Sequence, residues 1–170
     1  GGIGKTLARG YRGFRAPTHE IGEEDRSVLI DGVPFEFLMG SGTEAPAEFT
    51  FFLPTQRVLC MAEVCTQTQH NLLTPRGAEV RDARLWANVI DDALVRFGDR
   101  TDVLVNSHNW PVWGQESVHQ FMLEQRDIYK YVHDQTLRLA NHGMTIKEVG
   151  DALQEPDFAR DALHTRGNYG

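Results

Sequence analysis

Cysteine is scarce in this chain: Cys60 and Cys65 are the two among 170 residues. Two thiols do not make a disulfide framework. Cys60 reads as a small buried hydrophobe, and neither thiol fixes the redox compartment. Long apolar runs are missing as well, which excludes a transmembrane helix. Basic residues are outnumbered, 17 Lys and Arg against 24 Asp and Glu, for a net charge of -7. That balance argues against a general nucleic-acid binder, which would normally be basic. There is no initiator Met, signal peptide, internal repeat or low-complexity tract. The chain opens Gly1-Gly2-Ile3-Gly4 and stops at Gly167-Asn168-Tyr169-Gly170, ends expected of an internal piece of a longer protein. What is present is a composition 41% hydrophobic, enough for a buried core in one domain or slightly more.

Residues 1–26 are rich in Gly and Arg without a period, so a long helix is not expected there. Residues 27–30 and 33–39 flank Asp31-Gly32, a pair that supplies the positive φ angles of a tight hairpin turn. Residues 49–53 and 57–61 flank Pro54-Thr55 and read as a second strand pair. Leu85, Trp86, Val89, Ile90, Ala93, Leu94 and Phe97 recur at helical spacing. Asp82 is the expected N-cap of that helix and Gly98 its expected C′ residue. Residues 103–105 read as a short buried strand. From residue 116 to about 141 the pattern is helical, with Val118, Phe121, Met122, Ile128, Tyr129 and Val132 apolar and Gly143 as the stop. Thr145-Ile146-Lys147-Glu148 is a capping box that opens another helix, which Pro156 ends. A short helix is expected near 158–163. The β-rich part gives way to a helical part near residue 115.

Several motifs point to chemistry that their surroundings do not support. Gly-Ile-Gly-Lys-Thr at 2–6 resembles the end of a phosphate-binding loop, but the first Gly of that motif would precede residue 1. The following Leu-Ala-Arg-Gly-Tyr-Arg-Gly is also a poor helix. Residues 145–149 resemble the first helix of a helix-turn-helix, yet the next helix carries Asp157 and Asp161, which repel phosphate. Trp110 and Trp113 read equally as core or as the lining of an apolar channel. His19, His119, His133, His142 and His164 lack partners in the pattern, so an exposed or capping role is expected for each.

The stretch from Gly42 to Gly77 is richest in candidate functional groups. Glu44 and Glu63 lie at the mouths of expected strands, and His108 follows the strand at 103–105. Carboxylates and an imidazole at neighbouring strand ends suit a metal wall, because hard oxygens and neutral imidazole are the common zinc donors. Asn71 and Arg76 lie beside that wall in sequence and suit an anion. The bland alternative is that both carboxylates are solvated loop residues.

Thr43-Glu44-Ala45-Pro46-Ala47-Glu48, Cys60-Met61-Ala62-Glu63, His70-Asn71-Leu72, Arg76-Gly77-Ala78, Val80-Arg81-Asp82 and Phe97-Gly98-Asp99 are long, unusual motifs. So are Ser107-His108-Asn109-Trp110-Pro111, Trp113-Gly114, Gln125-Arg126-Asp127, Tyr129-Lys130-Tyr131, the run from His133 to Asn141, and Arg166-Gly167-Asn168-Tyr169-Gly170. Through them the chain resembles the alkyl sulfatases of the metallo-β-lactamase superfamily. The likeness is weakest before residue 27.

The resemblance implies an α/β fold: the C-terminal part of a metallo-β-lactamase αββα sandwich at 1–114, then the N-terminal part of a helical dimerisation domain at 115–170. It implies zinc as cofactor, two ions in the full-length protein. Glu44, Glu63 and His108 would be metal ligands, with Glu63 the bridge, and Asn71 and Arg76 would bind the sulfate group. The implied reaction converts an alkyl sulfate, such as dodecyl sulfate, to an alcohol and inorganic sulfate with a zinc-activated water. A homodimer through the helical segment is implied, with no nucleic acid and no membrane span. The superfamily's His-x-His-x-Asp-His motif, which supplies the other ligands, does not occur in this sequence. The 170-residue chain alone is therefore expected to bind zinc weakly and to lack turnover. Two alternatives remain open: a thioester or phosphodiester hydrolase of the same fold, or a non-catalytic dimerisation module.

Overall fold

The computed structural model describes residues 10–11, 13–24, 26–74, 77 and 79–167. The phosphate-loop-like segment at 2–6 and Arg76 lie outside them. Strands β1 (Ser27–Ile30) and β2 (Val33–Met39) form the expected hairpin. Asp31 and Gly32 have φ of 49° and 81°, the two positive angles that such a turn demands. Strand β3 (Phe49–Leu53) pairs antiparallel with both β2 and β4 (Val58–Cys60).

Helix α1 (Ala83–Phe97) lies in the connection from β4 to β5 (Val103–Val105), and these two strands run parallel. Such a connection must be long enough to return the chain to the same end of the sheet, and a helix does so economically. Strand β6 (Val112–Trp113), which the sequence pattern does not announce, adds an antiparallel edge. The sheet order is β1-β2-β3-β4-β5-β6.

Asp82 caps α1 by accepting from the N–H groups of Arg84 and Leu85. Gly98 departs from expectation. It is right-handed, at φ -51°, and the chain tightens into a 3-10 turn over Gly98–Arg100 rather than ending in a left-handed residue. Helix α2 (Gln115–Asn141) follows Gly114 and is succeeded by Gly143 at φ 89°. Helix α3 (Ile146–Ala152) has the full capping box: Thr145 accepts from the Glu148 N–H, and Glu148 accepts from the Thr145 N–H. It ends before Pro156, because Leu153 is already extended. The short helix expected near 158–163 is instead two 3-10 turns, Asp157–Ala159 and Leu163–Thr165.

The core forms where the sheet meets α1 and α2. Phe52, Leu59 and Leu104 from adjacent strands pack with Trp86, Ile90, Ala93 and Phe97 of α1 and Val118, Met122 and Tyr129 of α2. The α1 residues have helical spacing and the strand residues are register partners, so each element turns one apolar face inward. Residues on both sides of position 114 share this core. Trp110 and Trp113 do not join it. They are 59% and 69% exposed, which overturns the core reading for both. On the edge strand β6, Val112 is half-buried and its neighbour Trp113 points away, as alternation requires.

Candidate metal centre

Three loops converge at one end of the sheet. The β2–β3 connection carries Glu44. It is shaped by Gly42, whose φ is 85° and whose absent side chain leaves room for Leu85; a Cβ there would stand 3.2 Å from Leu85 Cδ2. Within it the buried Thr43 hydroxyl donates to the Gly40 carbonyl at 2.6 Å.

Beyond β4 and β5 the two loops stay side by side. Met61 N–H donates to Val105 O at 2.8 Å, and Ser107 N–H donates to Ala62 O at 2.8 Å. This extension of the parallel pairing sets Glu63 opposite His108. The Glu63 carboxylate and His108 Nε2 are hydrogen-bonded.

The loop after Glu63 then brings in His70, whose Nε2 is 3.8 Å from Glu63 Oε1. One ligand atom from each of Glu44, Glu63 and His70 lies within 4.8 Å of the others. The four side chains are half-buried or better: Glu44 is 17% exposed, Glu63 26%, His70 12% and His108 34%. Sequence reasoning named Glu44, Glu63 and His108 but gave His70 no role. Its signal was only its place beside Asn71.

Arg81 holds two of these loops together. Its Nε donates to the Glu44 carbonyl at 2.8 Å and its Nη2 pairs with the Glu44 carboxylate. Its Nη1 donates to Asn71 O at 2.9 Å and to Thr74 Oγ1 at 2.8 Å. Asn71 spends its own amide within the loop, donating to Leu73 O at 3.0 Å and Thr74 Oγ1 at 2.9 Å. No local pattern marks Arg81, because Glu44 is 37 positions away.

Negative charge is concentrated at this end of the sheet. The Glu48 carboxyl is pushed up to about 7, first by burial and then by the negative charges of Glu44 and Glu63. Burial also raises the Cys60 thiol, with the backbone at Ala62 opposing and Glu48 adding to the rise. Carboxylate and imidazole are donor types that zinc takes; Glu44, Glu63 and His70 offer three such atoms within 4.8 Å of one another, while His108 stands against the Glu63 carboxylate outside that group. The residues therefore fit a zinc site.

His164, expected to be exposed or capping, is neither. It is half-buried, with its Nε2 2.6 Å from Glu124 and its ring 4.7 Å from that of Phe121. Burial lowers its pKa, with Glu124 opposing.

No protein-family model matches the chain. It is 46% identical over 169 residues to an alkyl/aryl-sulfatase of Saccharomyces cerevisiae, a match spanning 99% of this chain and 26% of that protein. It is 48% identical over 156 residues to an (R)-specific secondary-alkylsulfatase of Pseudomonas sp., spanning 91% of this chain and 24% of that one. Among solved structures, the stereoselective inverting sec-alkylsulfatase Pisa1 from Pseudomonas sp. superposes with a TM-score of 0.88 at 42% identity. That match covers 91% of this chain and 25% of the other. The chain thus spans about a quarter of the length of these relatives.

Proposed function

We propose that this chain, homologous to the alkylsulfatases over 99% of its length, carries one wall of the active site of a zinc-dependent alkyl sulfatase. The observation that carries the reading is the convergence of Glu44, Glu63 and His70, with His108 on the Glu63 carboxylate, in a chain related to alkylsulfatases at 46–48% identity. In this reading residues 1–114 are the C-terminal part of a metallo-β-lactamase-like domain, and 115–170 are the N-terminal part of a helical dimerisation domain.

Glu44, Glu63, His70 and His108 hold the metal. When bound, zinc supplies a Lewis acid that activates water near neutral pH. Arg81 pairs with the Glu44 carboxylate and bonds its carbonyl, and so holds that side chain in place beside the site. Arg76 holds the sulfate group through a forked pair of charge-assisted hydrogen bonds, while Asn71, the other implied sulfate ligand, has its amide N–H groups engaged within the loop and must release one to join it. The leaving group is inorganic sulfate and the other product an alcohol. Pisa1 is an inverting enzyme. Inversion at a stereogenic carbon requires attack at that carbon, so oxygen from labelled water should appear in the alcohol here too.

Dimer formation draws on the apolar residues that the helical segment leaves outside. Ile146 is 95% exposed and Leu137 50%. No helix among the described residues is long and apolar enough to cross a membrane.

The test is inorganic sulfate release from dodecyl sulfate by the full-length protein carrying this segment, with and without a zinc chelator. Chelator-sensitive release is expected. A folded, zinc-loaded protein that releases none would refute the sulfatase reading and leave the thioester and phosphodiester readings of the fold.

A further inference from the structure

Two aromatic residues at the centre of the core touch the site without belonging to it. Trp86 of α1 and Tyr129 of α2 are both 0% exposed and lie stacked, with ring centroids 4.6 Å apart and planes at 16°. Each ring carries one polar atom, and each polar atom bonds the backbone of the loop that bears Glu63, His70 and Asn71. Trp86 Nε1–H donates to Val64 O at 2.7 Å, one residue past Glu63. Tyr129 Oη accepts the N–H of His70 itself at 3.0 Å. The His70 ring also lies 5.8 Å from the Trp86 ring. The same loop is held from its other side, where Gln69 N–H donates to Arg166 O at 2.9 Å and Gln69 bridges to Gly167.

We infer that the Trp86–Tyr129 stack is a positioning device that fixes where Glu63 and His70 stand relative to each other. The inference rests on the metal-centre reading above and adds to it a pair of residues whose polar atoms bond the backbone of the ligand-bearing loop. Buried aromatics in a packed core cannot shift independently, so their two polar atoms act as fixed posts. One post stands on each side of the bend between Glu63 and His70. Because Tyr129 belongs to α2, this arrangement also makes the site's geometry depend on how the helical segment is docked against the sheet.

Tyr129→Phe keeps the ring and the stack and deletes only the acceptor. Tyr131→Phe is the control. It removes a hydroxyl from the same helix that donates to Gln154 O at 2.8 Å, away from the site. In the full-length protein carrying this segment, freed of metal, amide hydrogen exchange of His70 should quicken about tenfold in Tyr129→Phe and stay unchanged in Tyr131→Phe. Cobalt(II), titrated as the spectroscopic probe, should bind the full-length Tyr129→Phe variant about tenfold more weakly, as for other supports of metal ligands, with an altered visible absorption band. Wild-type exchange at His70 in Tyr129→Phe would overturn the inference, as would equal losses of cobalt affinity in the two variants. A full-length wild type that binds no cobalt would instead refute the metal reading, and the His70 exchange would still decide the positioning role.

Discussion

Arg81→Ala should be among the most damaging single changes in the described chain, although Arg81 lies outside the apolar core. The side chain is 11% exposed and its carboxylate partner Glu44 17%. Truncation removes one ion pair and three further N–H donors, those to the Glu44, Asn71 and Thr74 oxygens. Breaking a buried pair by removing one partner costs about 3–5 kcal/mol, chiefly because the other charge stays buried without its counter-ion. Here the stranded carboxylate would also face Glu63. The three lost hydrogen bonds contribute about 1 kcal/mol each in isolation, but they share one side chain and do not add in full. We expect a total of about 4 kcal/mol, a large share of the about 5–15 kcal/mol that holds a domain together. Arg81→Lys keeps the charge and loses the fork, so it should recover part of the loss. The assay is urea unfolding of the metal-free chain, with Arg160→Ala as control because the Arg160 side chain is 66% exposed. A loss of less than about 1 kcal/mol for Arg81→Ala would refute the reasoning, since that is the range of an exposed pair.

Further outcomes follow from the same geometry. Glu48 has a folded-state pKa near 7 against a usual 4.5. The folded chain therefore binds more protons than the unfolded one between those values, and stability should fall as pH rises from about 4.5 to 7. Urea midpoints against pH should show that slope in the metal-free wild type and a flatter one in Glu48→Gln; identical slopes would exclude Glu48 as its source. Glu63→Ala should abolish most zinc binding by calorimetry, because Glu63 is the carboxylate that both imidazoles approach, whereas retained affinity would place the ion elsewhere. Leu104→Ala, at a position 0% exposed on the strand that pairs with β4 and β6, should cost about 2–5 kcal/mol in thermal or urea unfolding.

Much of the fold is legible in the sequence because short-range physics decides it. Asp31-Gly32 makes its hairpin by its own backbone preferences, Asp82 caps α1 from one residue away, and Thr145 with Glu148 closes α3 within a single turn. The misreadings share an opposite cause. Gly98 has the residue type of a left-handed terminator, but the chain continues as a 3-10 turn whose end is tied by the Thr101 N–H donating to Gly98 O. Strand β6 is two residues long and exists only because β5 offers an edge beside it. Trp110 and Trp113 read equally as core or as channel lining, and their position excludes the core.

The candidate site divides along the same line. Glu44, Glu63 and His108 are readable as candidates from residue type and from their places near strands. The family motifs supply Asn71 and Arg76, of which only Asn71 lies among the described residues. His70 and Arg81 lie in the same motifs, but nothing local gives either a role. Their importance comes from partners far along the chain: Arg81 meets Glu44 across 37 positions, and His70 meets Tyr129 across 59. By itself the sequence determined the elements, their caps and the supply of metal-type donors, because backbone preference and side-chain period act over a few residues. Only the tertiary structure decided which donors meet, because that depends on the parallel pairing of β4 with β5 and on the docking of α1 and α2 against the sheet. Those contacts join segments that no local interaction connects.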